Sequence, residues 1–208
     1  MDYVLYVVDT ETTGLDPYKN DVVELSILRM SDGAQKTWFI KPINQENIEQ
    51  AALRINGYKL EDLRHETKYG RETYLDPVKV IVEAENWISE DGVPAENRVV
   101  VGQNVGFDFS MLKQLWSKCR ATDTFPFGRR MMDTMMLAFM VDYAEQSMAE
   151  GYSLFNLLKK YGIKNNKAHT AASDTLATKE LFLKQMSELR KKLGVHRETN
   201  ENTLLGRP

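Results

Sequence analysis

The sequence predicts an α/β protein, with strands first and helices gathered about a central sheet. Three observations carry that expectation. Short apolar runs rich in β-branched residues occur at residues 4–8, 22–30 and 99–101, as in strands buried on both faces. Ser31-Asp32-Gly33 follows one such run and reads as a hairpin turn. From residue 107 onward, apolar residues recur at helical spacing.

In chain order, residues 4–8 make the first strand, which runs out at an acidic pair, and residues 22–30 and 37–40 make the hairpin. Residues 48–53 and 59–65 read as short helices, and 77–88 as a longer one with Val78, Ile81, Val82 and Trp87 apolar. Pro94 precedes the central strand at 99–101, and a turn at 102–106 follows it. Helices are expected at 107–118, with Leu112, Leu115 and Trp116 inward, then at 133–143, 153–161 and 171–193. The last carries Ala172, Leu176, Leu181, Phe182 and Met186 as its apolar set. The methionine-rich stretch at 131–140 reads as adaptable core packing. Residues 196–208 are polar and expected to be mobile.

At 208 residues the chain fits one ordinary domain with a substantial core. Its formal net charge is −3, so it is not a strongly basic binder of duplex nucleic acid. Basic candidates for a local groove are Lys164, Lys167 and Arg129-Arg130. Cys119 is the only cysteine, which excludes an intrachain disulfide and favours the reducing cytoplasm. Neither a signal peptide nor a membrane span is expected from the apolar pattern.

The chemistry is concentrated in three short segments. In Asp9-Thr10-Glu11-Thr12-Thr13-Gly14-Leu15, two acids one residue apart project to the same side where the first strand ends. Neighbouring carboxylates repel one another unless a cation or proton is shared, and oxygen ligands suit Mg²⁺ or Mn²⁺. Alone, the pair would merely end a strand and open a turn. A second acidic position, Asp108 in Asn104-Val105-Gly106-Phe107-Asp108, lies just beyond the central strand near a helix start. There it would also offset the helix dipole. A third, Asp174, falls about one turn inside the last helix, five residues after His169.

Together these segments resemble the DnaQ-like exonuclease family, in the histidine (DEDDh) branch of the DEDD nucleases. The family patterns Asp-x-Glu-Thr-Thr-Gly-Leu, Asn-x-x-Phe-Asp and His-x-x-x-x-Asp match residues 9–15, 104–108 and 169–174. Thr170 stands where the tyrosine branch needs Tyr. Gln103 and Asn56 replace residues that are often His in the family. The resemblance implies a ribonuclease H-like fold, with a mixed five-stranded sheet flanked by helices, as one exonuclease domain over residues 1–194. It also implies two divalent ions, Mg²⁺ or Mn²⁺, held by Asp9, Glu11, Asp108 and Asp174. His169 would then accept the proton from the attacking water. For the substrate it implies backbone amides around Thr12 and Thr13, an apolar wedge at Leu15, and Asn104 and Phe107 in the same pocket.

The expected activity is 3′→5′ exonuclease action on single-stranded 3′ ends, releasing nucleoside 5′-monophosphates. DNA is favoured, because Thr-Thr-Gly-Leu-Asp-Pro resembles polymerase-associated proofreading subunits more than oligoribonucleases. The partner would be a separate polymerase or other replication protein, unless the enzyme stands alone in repair or scavenging. Relatives include both monomers and homodimers, and nothing in the sequence chooses. The rivals are an RNA-processing exoribonuclease, and a non-catalytic module that binds nucleic acid through the same fold. A structural calcium site would leave His169 without a purpose.

Overall fold

A computed structural model describes residues 3–64, 67–68, 72–119, 124–165 and 169–195. The first strand, β1 (Val4–Thr12), pairs antiparallel with β2 (Val22–Arg29), and β2 pairs antiparallel with β3 (Gln35–Phe39). Two short helices follow, α1 (Gln50–Asn56) and α2 (Leu60–Arg64), then a two-stranded ribbon of β4 (Thr67–Lys68) and β5 (Glu72–Thr73). After α3 (Pro77–Ser89), β6 (Arg98–Gly102) lies parallel to β1 on its other side. Then come α4 (Val105–Cys119), β7 (Met131–Asp133), α5 (Thr134–Ala144), α6 (Leu154–Lys160) and α7 (Ala171–Lys192). The main sheet is mixed and five-stranded, in the order β3-β2-β1-β6-β7, as expected.

Alternation along β1 divides the core between the two faces of this sheet. Tyr6 and Val8 join Leu25, Ile27 and Val100 against α3 and α4, through Ile81, Trp87, Leu112 and Trp116. Val7 points the other way, with Leu28 and Val101, and packs on Phe182 of α7. Both faces are therefore covered, which is why every residue of β2 is buried. No helix among the described residues is long and apolar enough to cross a membrane.

Several expectations need correction. The first strand continues to Thr12, because β2 pairs alongside it as far as Val22 with a register shift at Glu11/Thr12. Asp9 and Glu11 thus sit inside a strand. Met131 and Met132 lie in β7, a short edge strand that the methionine-rich composition concealed. The methionines are not core: Met131, Met132, Met136 and Met140 are exposed. The inward face of α5 carries Thr134, Ala138 and Asp142 instead, and Gln185 of α7 donates to the Thr134 carbonyl. Leu176 in α7, and Val78 and Val82 in α3, also face outward; Thr175, Thr178, Val80 and Ala84 hold the buried positions. Asp133 caps α5 rather than opening it, and α4 begins two residues early, at Val105. His65, Lys167 and residues 196–208 lie outside the described residues.

Candidate active site

The carboxyl ends of β1 and β6 meet at one edge of the sheet, where the chain turns from β6 into α4. That turn must lie tight on β1. A Cβ at Gly102 would stand 3.2 Å from the Val8 carbonyl oxygen and 3.0 Å from Val105 Cγ2. Asp133 fixes the turn from beside it, accepting from the Asn104 and Val105 amides at 3.1 and 3.0 Å. Gln103 is held as well, donating to the Tyr152 carbonyl at 2.7 Å and accepting from the Thr134 hydroxyl at 2.6 Å.

Three elements bring the acids together at this edge. Asp9 and Glu11 project from β1 on one side, half-buried, while Thr10 and Thr12 face inward. Asp174 comes from the first turn of α7, where Thr170 caps the helix by accepting from the Ser173 amide. One carboxylate oxygen from each of Asp9, Glu11 and Asp174 lies within 4.8 Å of the others. Asp108 enters from the first turn of α4 and is buried; its Oδ1 accepts from the Thr10 amide (2.9 Å) and hydroxyl (2.7 Å). It stands outside the group of three, but its charge acts on Asp9.

The electrostatics are those of a site short of positive charge. Burial, then the charges of Asp108, Glu11 and Asp174, push the Asp9 carboxyl well above its usual range. Burial also raises Asp174, against the opposing hydrogen bond from Asn165. Asp108 is pushed up to about 7 by burial, although its bonds from Thr10 pull the other way. A divalent cation held among Asp9, Glu11 and Asp174 would offset this repulsion, and an all-oxygen donor set fits Mg²⁺ or Mn²⁺.

His169 and Asn165 complete this end of the site. His169 is exposed, with a left-handed backbone (φ 68°), and its amide donates to Asp174 Oδ2 at 3.2 Å. For a residue other than glycine such a conformation is uncommon and concentrates at functional sites. Asn165 donates to Asp174 Oδ1 and accepts from the Ser173 hydroxyl. Both residues line a cleft of about 680 Å³ with Asp9, Gln103 and Asp174.

Thr13 is fully buried, and its amide donates to the Asp21 carbonyl at 2.9 Å, so that N–H is not open to a substrate. The hydroxyl of Thr12 bonds the Gly14 carbonyl, and its own carbonyl accepts from Asn56. Both threonines build the turn; Gly14 leaves no room for a Cβ beside the Asn20 side chain. Leu15 is 76% exposed at the tip. Asn104 is exposed at φ 54°, and Phe107 packs half-buried against the main core.

Reading the sequence missed Glu24 and Asn165. Glu24 sits opposite Glu11 in the ladder, is 1% exposed, and accepts from the Tyr58 hydroxyl at 2.6 Å. Its charge raises both Asp9 and Asp174. The available signal was a lone acid in the apolar run of β2. Asn165 carried no such signal.

Comparison with known proteins places this site in a family. A family model of RNase T type, described as "Exonuclease", matches residues 6–182, and the chain belongs to that family. Among curated relatives, the 3′-5′ DNA exonuclease Cap18 of Escherichia coli is 28% identical over 88% of this chain and 93% of its own length. The PolC-type DNA polymerase III of Thermotoga petrophila is also 28% identical, over 91% of this chain, but the match spans only 12% of that polymerase. A ribonuclease T from Shewanella is 26% identical over 86% of this chain and 80% of its own. Among solved structures, E. coli exonuclease I in complex with a dT13 oligonucleotide superposes with a TM-score of 0.68 at 17% identity, over 97% of this chain and 46% of that one. The cell-death related nuclease 4 gives 0.67 at 14% identity, over 90% of this chain and 65% of that one.

Proposed function

We propose that this protein is a divalent-cation-dependent 3′→5′ exonuclease that removes nucleoside 5′-monophosphates from single-stranded ends, with DNA preferred. One observation carries the reading: Asp9, Glu11 and Asp174 converge to within 4.8 Å at a sheet edge where Asp108 and His169 also arrive. Family membership supports it, as do the named activity of Cap18 and the oligonucleotide complex of exonuclease I. Asp9, Glu11, Asp108 and Asp174 would hold two ions, Mg²⁺ or Mn²⁺, which supply an activated water and offset charge on the phosphate.

The chain's own residues do the rest. Thr10 fixes the Asp108 carboxylate by two hydrogen bonds, and Asn165 and the His169 amide fix Asp174. His169, exposed and lining the cleft, takes the proton from the attacking water as its general base. Leu15 meets the terminal base from the turn after β1. The domain extends to residue 194, and the similarity to PolC-type polymerases supports a replicative polymerase as partner.

The test is a 5′-labelled single strand incubated with Mn²⁺, as DNA and as matched RNA. Stepwise shortening from the 3′ end is expected, stopped by EDTA and slowed by at least about 10²-fold in Asp9→Asn. Faster shortening of the RNA would reverse the sugar preference in favour of an RNA-processing enzyme. Both strands left at full length would leave only a binding module.

A further inference from the structure

The cleft that holds the acids does not end at them. Its far wall is α6, which contributes Leu154, Phe155, Leu158 and Lys159. Leu157 and Leu158 are buried with Leu181 of α7 in a small core of their own, against which Leu154 also packs. Phe155 plays no part in that core and is 74% exposed. Lys159, exposed as well, follows it at i+4, on the same face one turn away.

The wall is rigidly placed. At one end the Tyr152 carbonyl accepts from Gln103, which ties the start of α6 to the turn that leads into α4. At the other, Lys160 reaches the buried Asp142 of α5 at 2.6 Å, and Tyr152 bonds the same carboxylate. A large aromatic side chain is thus exposed to water in the same cleft as Asp9 and Asp174, with a cation one turn further on. A single strand repeats that pair of features, a flat base and an anionic linkage, along its length. Aromatic faces bind such strands by stacking, and lysines by their charge.

We propose that Phe155 and Lys159 form a strand-holding subsite, in which a nucleobase upstream of the scissile bond stacks on Phe155 and its backbone phosphate meets Lys159. This rests on the exonuclease reading above for its substrate class, single-stranded nucleic acid. Both residues act on binding and leave the chemical step alone.

Binding is read by anisotropy of a labelled single-stranded oligonucleotide in the Asp9→Asn background, so that the strand survives. Adding Phe155→Ala should weaken binding by about 5- to 150-fold, Phe155→Tyr should restore it, and Phe155→Leu should not. Lys159→Gln should flatten the salt dependence of binding by about one unit of slope. With otherwise native protein, Phe155→Ala should raise KM for oligonucleotides and leave kcat unchanged. It should also spare hydrolysis of the p-nitrophenyl ester of thymidine 5′-monophosphate, which has no upstream base. Equal affinity of Asp9→Asn with and without Phe155→Ala would overturn the subsite, even if native protein shortens the strand normally. Lost affinity in a protein that shortens no strand would uphold the subsite and overturn the exonuclease reading.

Discussion

At the scale of the residue, carboxylates occupy positions that a folded chain would ordinarily give to neutral groups. Because burial raises Asp9, Asp108 and Asp174, with the charges of neighbouring carboxylates adding to it at Asp9, the native state holds protons that the unfolded chain has released, over the interval between the ordinary and raised values. Through that interval these groups cause stability to fall as pH rises. A cation reverses the balance where they are ionised and competes with protons where they are not. The rise in melting temperature on adding Mn²⁺ should therefore be larger at about pH 8 than at about pH 5.5. Equal rises at the two values would mean that the cation binds elsewhere. In the proposed reaction His169 serves a different step. His169→Ala should lower kcat by roughly 10²- to 10⁴-fold while leaving Mn²⁺ affinity within about twofold; loss of affinity would make the imidazole a ligand.

At the scale of the element, the structure departs most from the sequence where an edge or a surface was mistaken for a core. Residues 4–8 were legible as a strand from their β-branched run, but its continuation to Thr12 depends on pairing with β2, which no local pattern encodes. In β7, the three residues Met131–Asp133 are too few to show a period and join the sheet only because β6 lies beside them. The methionines of α5 misled by composition, since small and polar residues take its inward face. Replacing Met136 and Met140 together by Gln should change unfolding free energy by less than about 1 kcal/mol, as for other exposed positions. Phe182→Ala, under the sheet, should lower it by about 3–5 kcal/mol. Chemical denaturation of the two variants distinguishes them; similar losses would mean that α5 is buried in solution.

At the scale of the whole molecule, the sheet order is what makes a site from distant segments. Strand β1 lies at the middle of the sheet between β2 and β6, so its acids meet a helix entering from β6 and another that crosses its opposite face. The pair Asp9 and Glu11 was legible because it breaks the apolar run of β1, and Asp108, His169 and Asp174 because each stands near the start of a helix, where periodicity changes. Asn165 was not, since its place follows from three-dimensional proximity alone, and Glu24 left only the signal of a lone acid in the apolar run of β2. Thr13 shows the converse: its motif was legible, but its amide turns inward to Asp21.

The convergence itself is open to direct measurement by titrating Mn²⁺ calorimetrically into the native protein and into Asp174→Asn. The carboxylate of α7 stands far in sequence from the pair on β1, so it can influence their cation only if the chain folds as described. Native protein should bind Mn²⁺, and Asp174→Asn should bind at least about tenfold more weakly. Undiminished binding in that variant, with its fold intact, would contradict a shared cation site.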